Sequence, residues 1–269
     1  MPQVHSKRYP RHSGQAQLEA ISLEWLGQAR RGVRVAQVLN LTEDSLELEY
    51  IRPGPARPEA ASAFGRALAW THAAGASHFG APPPTWVGPG WIGLASMTYV
   101  DQPGANWGQF YATERVMPYA MAAAKADTIS QDGLKAVERL AGRLEAGIFD
   151  SPQPGLLSPA AAARLHGDLW SGNVLWTVPD KASHQPWTGA VLIDPSAHGG
   201  HAETDLAMLA LFGLPCLDTV ISAYNEVSAL APGWSERTGL HQIYPLLVHA
   251  VLFGGSYGQA ALAKARQYL

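Results

Sequence analysis

Leu165-His166-Gly167-Asp168-Leu169-Trp170-Ser171-Gly172-Asn173 sets an aspartate and an asparagine five residues apart in a short segment punctuated by two glycines. A second acid, Asp194, closes the apolar run Ala190-Val191-Leu192-Ile193. Phosphoryl transfer needs such a set. One carboxylate orients the attacking hydroxyl and takes its proton, while an amide oxygen and a second carboxylate serve magnesium. Taken singly, Asp168 and Asn173 read as turn residues and Asp194 as a strand end before Pro195. Their joint spacing favours chemistry. Asp168 is the candidate catalytic base, and Asn173 and Asp194 are the candidate magnesium ligands.

Working outward, Val174-Leu175-Trp176 and Ala190–Ile193 predict two short strands joined by a polar loop over 178–189. Upstream, a helix is expected over 15–31, with Leu18, Ile21, Trp25 and Leu26 on one face and Gly32 just beyond. Alternation over 46–51 predicts a half-buried strand, which Arg52-Pro53-Gly54-Pro55 ends. A helix over 58–73, a long Gly- and Pro-rich loop over 75–106, helices over 107–126 and 131–146 and a connector over 147–157 come next. Ser158-Pro159 is a helix start by its N-cap and first-position chemistry. Downstream helices are expected over 203–213, 215–230, 238–252 and 257–268. The order is α+β: a small strand-bearing part, residues 1–52, then a mostly helical part, residues 53–269.

With 47% hydrophobic and 15% charged residues, the 269-residue chain can bury one large core or two lobes. A net charge of −3 with no cluster of Lys and Arg argues against a nucleic-acid partner. No apolar run approaches the ~20 residues of a membrane span. The single cysteine, Cys216, excludes an internal disulfide, and no apolar signal segment follows Met1, so a cytoplasmic protein is expected.

The His166-Gly167-Asp168 triplet, with Asn173 and Asp194 behind it, resembles the catalytic loop of the protein-kinase-like superfamily in its small-molecule-kinase form. Trp170 narrows this: His-Gly-Asp-Leu-Trp-Ser-Gly-Asn is similar to the fructosamine kinase (ketosamine kinase) family. Residues 191–213 and Leu247–Gly254 resemble the same family strongly, and Phe64–Ala69 and Trp107–Tyr111 with Arg115 less specifically. The resemblance runs from about residue 4 to the end. It implies a protein-kinase-like bilobal fold, ATP and Mg2+ as cofactors, and phosphorylation of a sugar hydroxyl on a small-molecule or protein-bound ketosamine. By the resemblance that hydroxyl is the 3-hydroxyl of a fructosamine or ribulosamine, and the unstable product releases its amine. The generic Asp-Asn-Asp set is shared with kinases of aminoglycosides and choline, so these acceptors stay open. A nucleotide-binding pseudokinase stays open too.

The resemblance also implies roles for further residues. A strand lysine paired with a helix glutamate becomes Lys7 with Glu19, Lys7 reaching the α- and β-phosphates. Before the helix at 15 the only glycine is Gly14, so the glycine-rich hairpin of such lobes is expected to be missing and the sheet lobe shortened. A site without that cover admits water and stabilises charge less well. Glu49, Tyr50 and Ile51 end the strand before the hinge, and their backbone groups are adenine candidates by fold analogy. Trp170 offers an indole face to the sugar. His249 lies on an apolar helix that lines the sugar pocket in the family. His166 is expected to support the loop through backbone or Asp194. Asp194-Pro195-Ser196 stands where most protein kinases carry Asp-Phe-Gly, so no activation-loop switching is expected. His198, His201, Glu203 and Asp205 could read as a zinc pattern. The beginning of a helix near Glu203 favours carboxylates on its first amides instead, with Asp205 bracing the catalytic loop.

Overall fold

The computed structural model describes residues 3–104, 106–158, 161–179 and 186–269. The N-terminal part runs β1 (Val4–Arg8), α1 (Gln15–Gly27), β2 (Arg34–Val35), β3 (Val38–Leu41) and β4 (Ser45–Glu49). β4 lies between β1 and β3 in an antiparallel sheet, with Lys7 opposite Leu46. The alternation expected over 46–51 works as such a pattern should: Leu46 and Leu48 turn inward to a core shared with Ala20, Leu23 and Ile51.

α1 ends four residues before the expected boundary. Arg31 takes a left-handed φ of 68°. A Cβ at Gly32 would stand 2.7 Å from the Ala29 Cβ and 2.8 Å from Thr71 Oγ1. The tight turn carries the Val33 N–H onto Thr71 Oγ1 at 2.9 Å. β2 then begins, too short to leave a pattern in sequence.

The helical part runs α2 (Pro58–Ala73), β5 (Gly90–Ile92), β6 (Ala95–Met97), α3 (Trp107–Phe110), α4 (Met117–Lys125), α5 (Gln131–Glu145), β7 (Ala163–Leu165), β8 (Val174–Trp176), β9 (Ala190–Leu192) and β10 (His198–Gly200). It closes with α6 (Ala202–Leu211), α7 (Leu217–Val227), α8 (Trp234–His241), α9 (Ile243–Phe253) and α10 (Tyr257–Ala265). A π-helical segment, Tyr111–Val116, joins α3 to α4, so the helix expected over 107–126 is one interrupted rod. The loop expected over 75–106 contains the β5–β6 hairpin. Of the helix expected from Ser158-Pro159, Pro159 lies outside the described residues, and Ala163–Leu165 form a strand instead. They do so because β10 offers them an antiparallel partner, a contact distant in sequence. The helix expected over 238–252 is two, α8 beginning earlier at Trp234 after a left-handed Gly233.

The strands expected at 174–176 and 190–193 pair as β8 and β9, Val174 opposite Leu192. β2 joins the far side of β9 in parallel, which ties the N-terminal part to the strand that ends at Asp194. Beneath this sheet, Phe64, Leu68, Val220, Tyr224 and Leu192 form a core together with Leu169 of the catalytic loop. α2 and α7 approach closely at Gly65, where a Cβ would lie 2.2 Å from the Val220 carbonyl oxygen. A second core packs α3–α5 against α8–α10 around Val137, Leu140, Ile243 and Leu247. Among the described residues no helix is long and apolar enough to cross a membrane.

Candidate active site

The catalytic loop leaves β7 and turns at Gly167, whose φ is 81°. A Cβ there would stand 2.1 Å from the Ser196 carbonyl oxygen, so only glycine allows this approach. Asp205 on α6 accepts the N–H of His166 at 2.7 Å and of Gly167 at 3.0 Å. His72 on α2 approaches the same carboxylate at 3.2 Å. Burial opposes the Asp205 charge, but these partners hold its carboxyl below the usual range. The His166 ring donates from Nε2 to the Ile193 carbonyl at 2.9 Å and accepts the Asp168 N–H on Nδ1 at 3.3 Å. His166 therefore ties the loop to the end of β9 through backbone, not through the Asp194 carboxylate. Burial lowers its pKa, which keeps the imidazole neutral.

Asp168 lies largely buried at the cleft, with only a minor part of its surface exposed. Asn173 Nδ2 donates to the Asp168 carbonyl at 2.8 Å and to Asp168 Oδ2 at 3.0 Å. Burial pushes the Asp168 carboxyl up to about 7, with Asp194 and Asp205 adding to the rise and the Asn173 bond opposing it. The Asn173 amide nitrogen is thus engaged, and its oxygen is the atom left for a ligand. Asp194 adopts φ 56°, the left-handed region that a non-glycine residue rarely occupies. Such strain persists where the surroundings enforce it, often at functional sites. Here the Ile193 N–H is held by the Asn173 carbonyl at 3.2 Å. One carboxylate and one amide oxygen are the hard donors that magnesium takes alongside phosphate oxygens, so Asn173 and Asp194 fit such an ion.

Lys7 points from β1 into the same cleft. Its ammonium lies 2.7 Å from Glu19 Oε1 on α1 and pairs with Asp194 as well. Tyr9, two residues further on, donates to the second Glu19 oxygen. Sequence reading did not single out Tyr9, although its place two residues from Lys7 put both on one strand face.

The hinge candidates separate. The Glu49 N–H donates to the Gln37 carbonyl at 2.9 Å, and its carboxylate takes Arg34 and the Gln37 N–H. Glu49 also lines a cleft of about 1120 Å³ behind the hinge, between α1, β2 and α2. The exposed Tyr50 gives its N–H to the Gln3 carbonyl at 3.3 Å. Ile51, the third candidate, is buried, and among the described residues its N–H meets no backbone acceptor.

Trp170 folds over Gly172, its backbone N–H on the Asp168 carbonyl at 3.1 Å and the residue 38% exposed. Its ring meets Phe212 edge to face at 6.2 Å between centroids, and Phe212 meets His249 at 4.9 Å. Phe253 and Tyr257 lie 5.5 and 5.1 Å from His249. An aromatic wall therefore extends from the catalytic loop to the surface, with Phe253 66% exposed.

The histidine pattern at 198–205 resolves differently from a helix cap of carboxylates. His201 caps α6, accepting the Glu203 N–H on Nδ1 at 3.2 Å. Glu203 instead takes Arg237 in a two-pronged pair at 2.8 and 2.5 Å. Burial works against the Glu203 charge, but His241 and Arg237 hold its carboxyl at about 2. His201, Glu203 and His241 could group their ligand atoms within 4.8 Å, but the guanidinium already neutralises the carboxylate. His198 donates to the Ser196 carbonyl at 2.8 Å and is neutral, burial pushing it down to about 3.

The profile of the fructosamine kinase family matches residues 12–269. A protein of Klebsiella aerogenes named as a probable ketoamine kinase is 31% identical over 262 residues, covering 93% of this chain and 80% of that protein. The mouse ketosamine-3-kinase is 31% identical over 157 residues, 58% of this chain and 45% of its own length. A crystal structure from Thermobifida fusca, provisionally named a fructosamine-3-kinase, superposes with a TM-score of 0.85 at 42% identity, over 98% of this chain and 85% of that one. The ADP-bound aminoglycoside phosphotransferase APH(2'')-Ib shares the fold at a TM-score of 0.59 and 11% identity, over 99% of this chain and 88% of that one. These likenesses establish the protein-kinase-like fold and a phosphotransferase with an alcohol group as acceptor, and the chain belongs to the fructosamine kinase family.

Proposed function

We propose that the chain transfers the γ-phosphoryl group of ATP to a hydroxyl of a ketosamine sugar, the 3-hydroxyl of a fructosamine or ribulosamine. The phosphorylated product then eliminates its amine, which makes the reaction a deglycation. The observation that carries the reading is the meeting of Lys7, Glu19, Asp168, Asn173 and Asp194, drawn from separate parts of the chain, around one cleft.

In this reading the nucleotide lies between residues 1–52 and 53–269. The Ile51 N–H donates to adenine and Lys7 neutralises the α- and β-phosphates, while Glu19 keeps Lys7 in place. Asn173 Oδ1 and the Asp194 carboxylate would hold Mg2+, which when bound offsets charge on the transferring phosphoryl group. Asp168 aligns the sugar hydroxyl. As the new O–P bond forms and the bond to the departing ADP oxygen breaks, the hydroxyl proton passes to the Asp168 carboxylate. A carboxyl raised to about 7 suits that task near neutral pH. Trp170 covers one face of the sugar, and Phe212 and His249 continue the wall on the side of the amine carrier. Aromatic faces attract a protonated amine, the charge state of a ketosamine nitrogen at neutral pH.

The test is ADP release with Mg-ATP over a panel of ketosamines, choline and an aminoglycoside, with Asp168→Asn as control. ADP release that depends on ketosamine and is lost in the control supports the reading. Turnover only with choline or the aminoglycoside replaces the substrate class. Mg-ATP binding without turnover on any acceptor moves the chain to a non-catalytic nucleotide-binding role.

A further inference from the structure

We infer that Tyr9 is a positioning residue for the nucleotide phosphates: its hydroxyl fixes the Glu19 carboxylate, and through it the aim of the Lys7 ammonium. The inference rests on the nucleotide reading of Lys7 given above.

Lys7 and Tyr9 are two residues apart on extended chain, so their side chains leave the same face. The Tyr9 N–H reaches the Asp44 carbonyl at 2.9 Å and continues the β1–β4 ladder by one residue, which sets the direction of its side chain. Both side chains end on Glu19. Lys7 takes Oε1 at 2.7 Å and the Tyr9 hydroxyl donates to Oε2. Glu19 is 9% exposed, and a carboxylate oxygen so placed is costly without a donor. Tyr9 supplies that donor from a half-buried ring packed against the core that holds Leu46, Leu48 and Ala20.

The division of labour matters because Lys7 is shared. Its ammonium also faces Asp194. When phosphates compete for the ammonium, Glu19 loses part of its cationic partner, and a carboxylate held only by Lys7 could then follow it or swing away. The bond from Tyr9 keeps one oxygen anchored and leaves the other pointing at Lys7. Hydrogen bonds to an ionised acceptor are the stronger kind, and the geometry of a pair tightens when a third group fixes one member. Burial, followed by the charge of Glu19, raises the Tyr9 pKa, so the hydroxyl stays a donor throughout the working range.

The competing account is that Tyr9 only packs against the sheet, a task that phenylalanine would perform as well. Tyr9→Phe removes one oxygen and keeps the ring. Dissociation constants for Mg-ADP and for adenosine, measured on Tyr9→Phe, Lys7→Met, Glu19→Ala and the Tyr9→Phe/Glu19→Ala pair, separate the accounts. The expected result is a Kd for Mg-ADP raised roughly three- to tenfold in Tyr9→Phe, the range of one hydrogen bond, with adenosine unaffected. In the Glu19→Ala background the same change adds nothing, because the partner is gone. An unchanged Mg-ADP affinity in Tyr9→Phe, while Lys7→Met weakens it, overturns the role of Tyr9 alone. Equal losses for Mg-ADP and adenosine overturn it in favour of packing. An unchanged Mg-ADP affinity in Lys7→Met overturns the nucleotide reading of Lys7 and this inference with it.

Discussion

The Asp205 carboxylate accepts the backbone N–H of His166 at 2.7 Å from a helix 39 residues further along the chain. The same carboxylate holds Gly167 and meets His72, so three segments converge on one fully buried acid. The turn that presents Asp168 is therefore set from below by α6. Asp205→Asn places an NH2 group near those donors and is expected to cost about 3 kcal/mol, the scale of a broken buried ionic hydrogen-bond network. Urea unfolding reads the loss, and kcat falls with it while the affinity for Mg-ATP is kept. Because the folded-state pKa of Asp205 is lowered, its contribution is present above the unfolded value and disappears as pH falls through the folded one.

Asp168 has the opposite linkage. Its carboxyl is raised to about 7 in the folded protein, so the folded state keeps a proton that the unfolded chain releases near 3.8. Its contribution is full in acid and is lost as pH rises through about 7. Asp168→Asn carries no such titration. Its thermal midpoint is expected to exceed that of the native protein at about pH 8, and the difference to shrink towards about pH 5. Thermal melts across that range decide it, and a difference independent of pH would contradict the raised pKa.

The same group sets a limb in the rate. As the proposed base, Asp168 must be ionised to take the hydroxyl proton, so kcat/KM should rise with pH and level off above about 7. Asp168→Glu, which retains a carboxylate on a longer stem, is expected to keep a limb at much lower kcat.

Trp170, two residues past Asp168, meets Phe212 edge to face. Trp170→Ala is expected to raise the acceptor KM about tenfold, the order of one buried aromatic contact, without changing the KM for ATP. Equal changes for both substrates in initial-rate kinetics would show that the indole supports the loop instead of the sugar.

Two glycines give a paired test of the fold. Gly65→Ala drives a Cβ to 2.2 Å from the Val220 carbonyl oxygen between α2 and α7 and should cost about 1–3 kcal/mol. Gly142→Ala meets nothing within 4 Å on the exposed side of α5, and better helix propensity should stabilise by about 0.5–1 kcal/mol. Denaturant midpoints measure both.

Features that depend on near neighbours along the chain could be read from the residues alone. Asp168, Asn173 and Asp194 could be set out as a candidate group because a loop glycine, a five-residue spacing and a four-residue apolar run act locally. Helix α2 matched its expected bounds, and β8 and β9 appeared where short apolar runs placed them. The rest came from contacts that exist only after folding. β2 and β7 are strands because distant strands complete their hydrogen bonds, and periodicity cannot register a partner 100 or more residues away in sequence, as β9 is from β2. The Glu49 and Tyr50 N–H groups are committed to Gln37 and Gln3, partners that folding supplies and the sequence does not announce, which is why Ile51 is the donor proposed for adenine. Glu203 left its expected place on the helix amides because Arg237, brought by α8, offered two charged bonds. Tyr9 was invisible beside Lys7 for the same reason. A hydroxyl gains a role only when folding brings it a buried carboxylate whose second oxygen needs a donor.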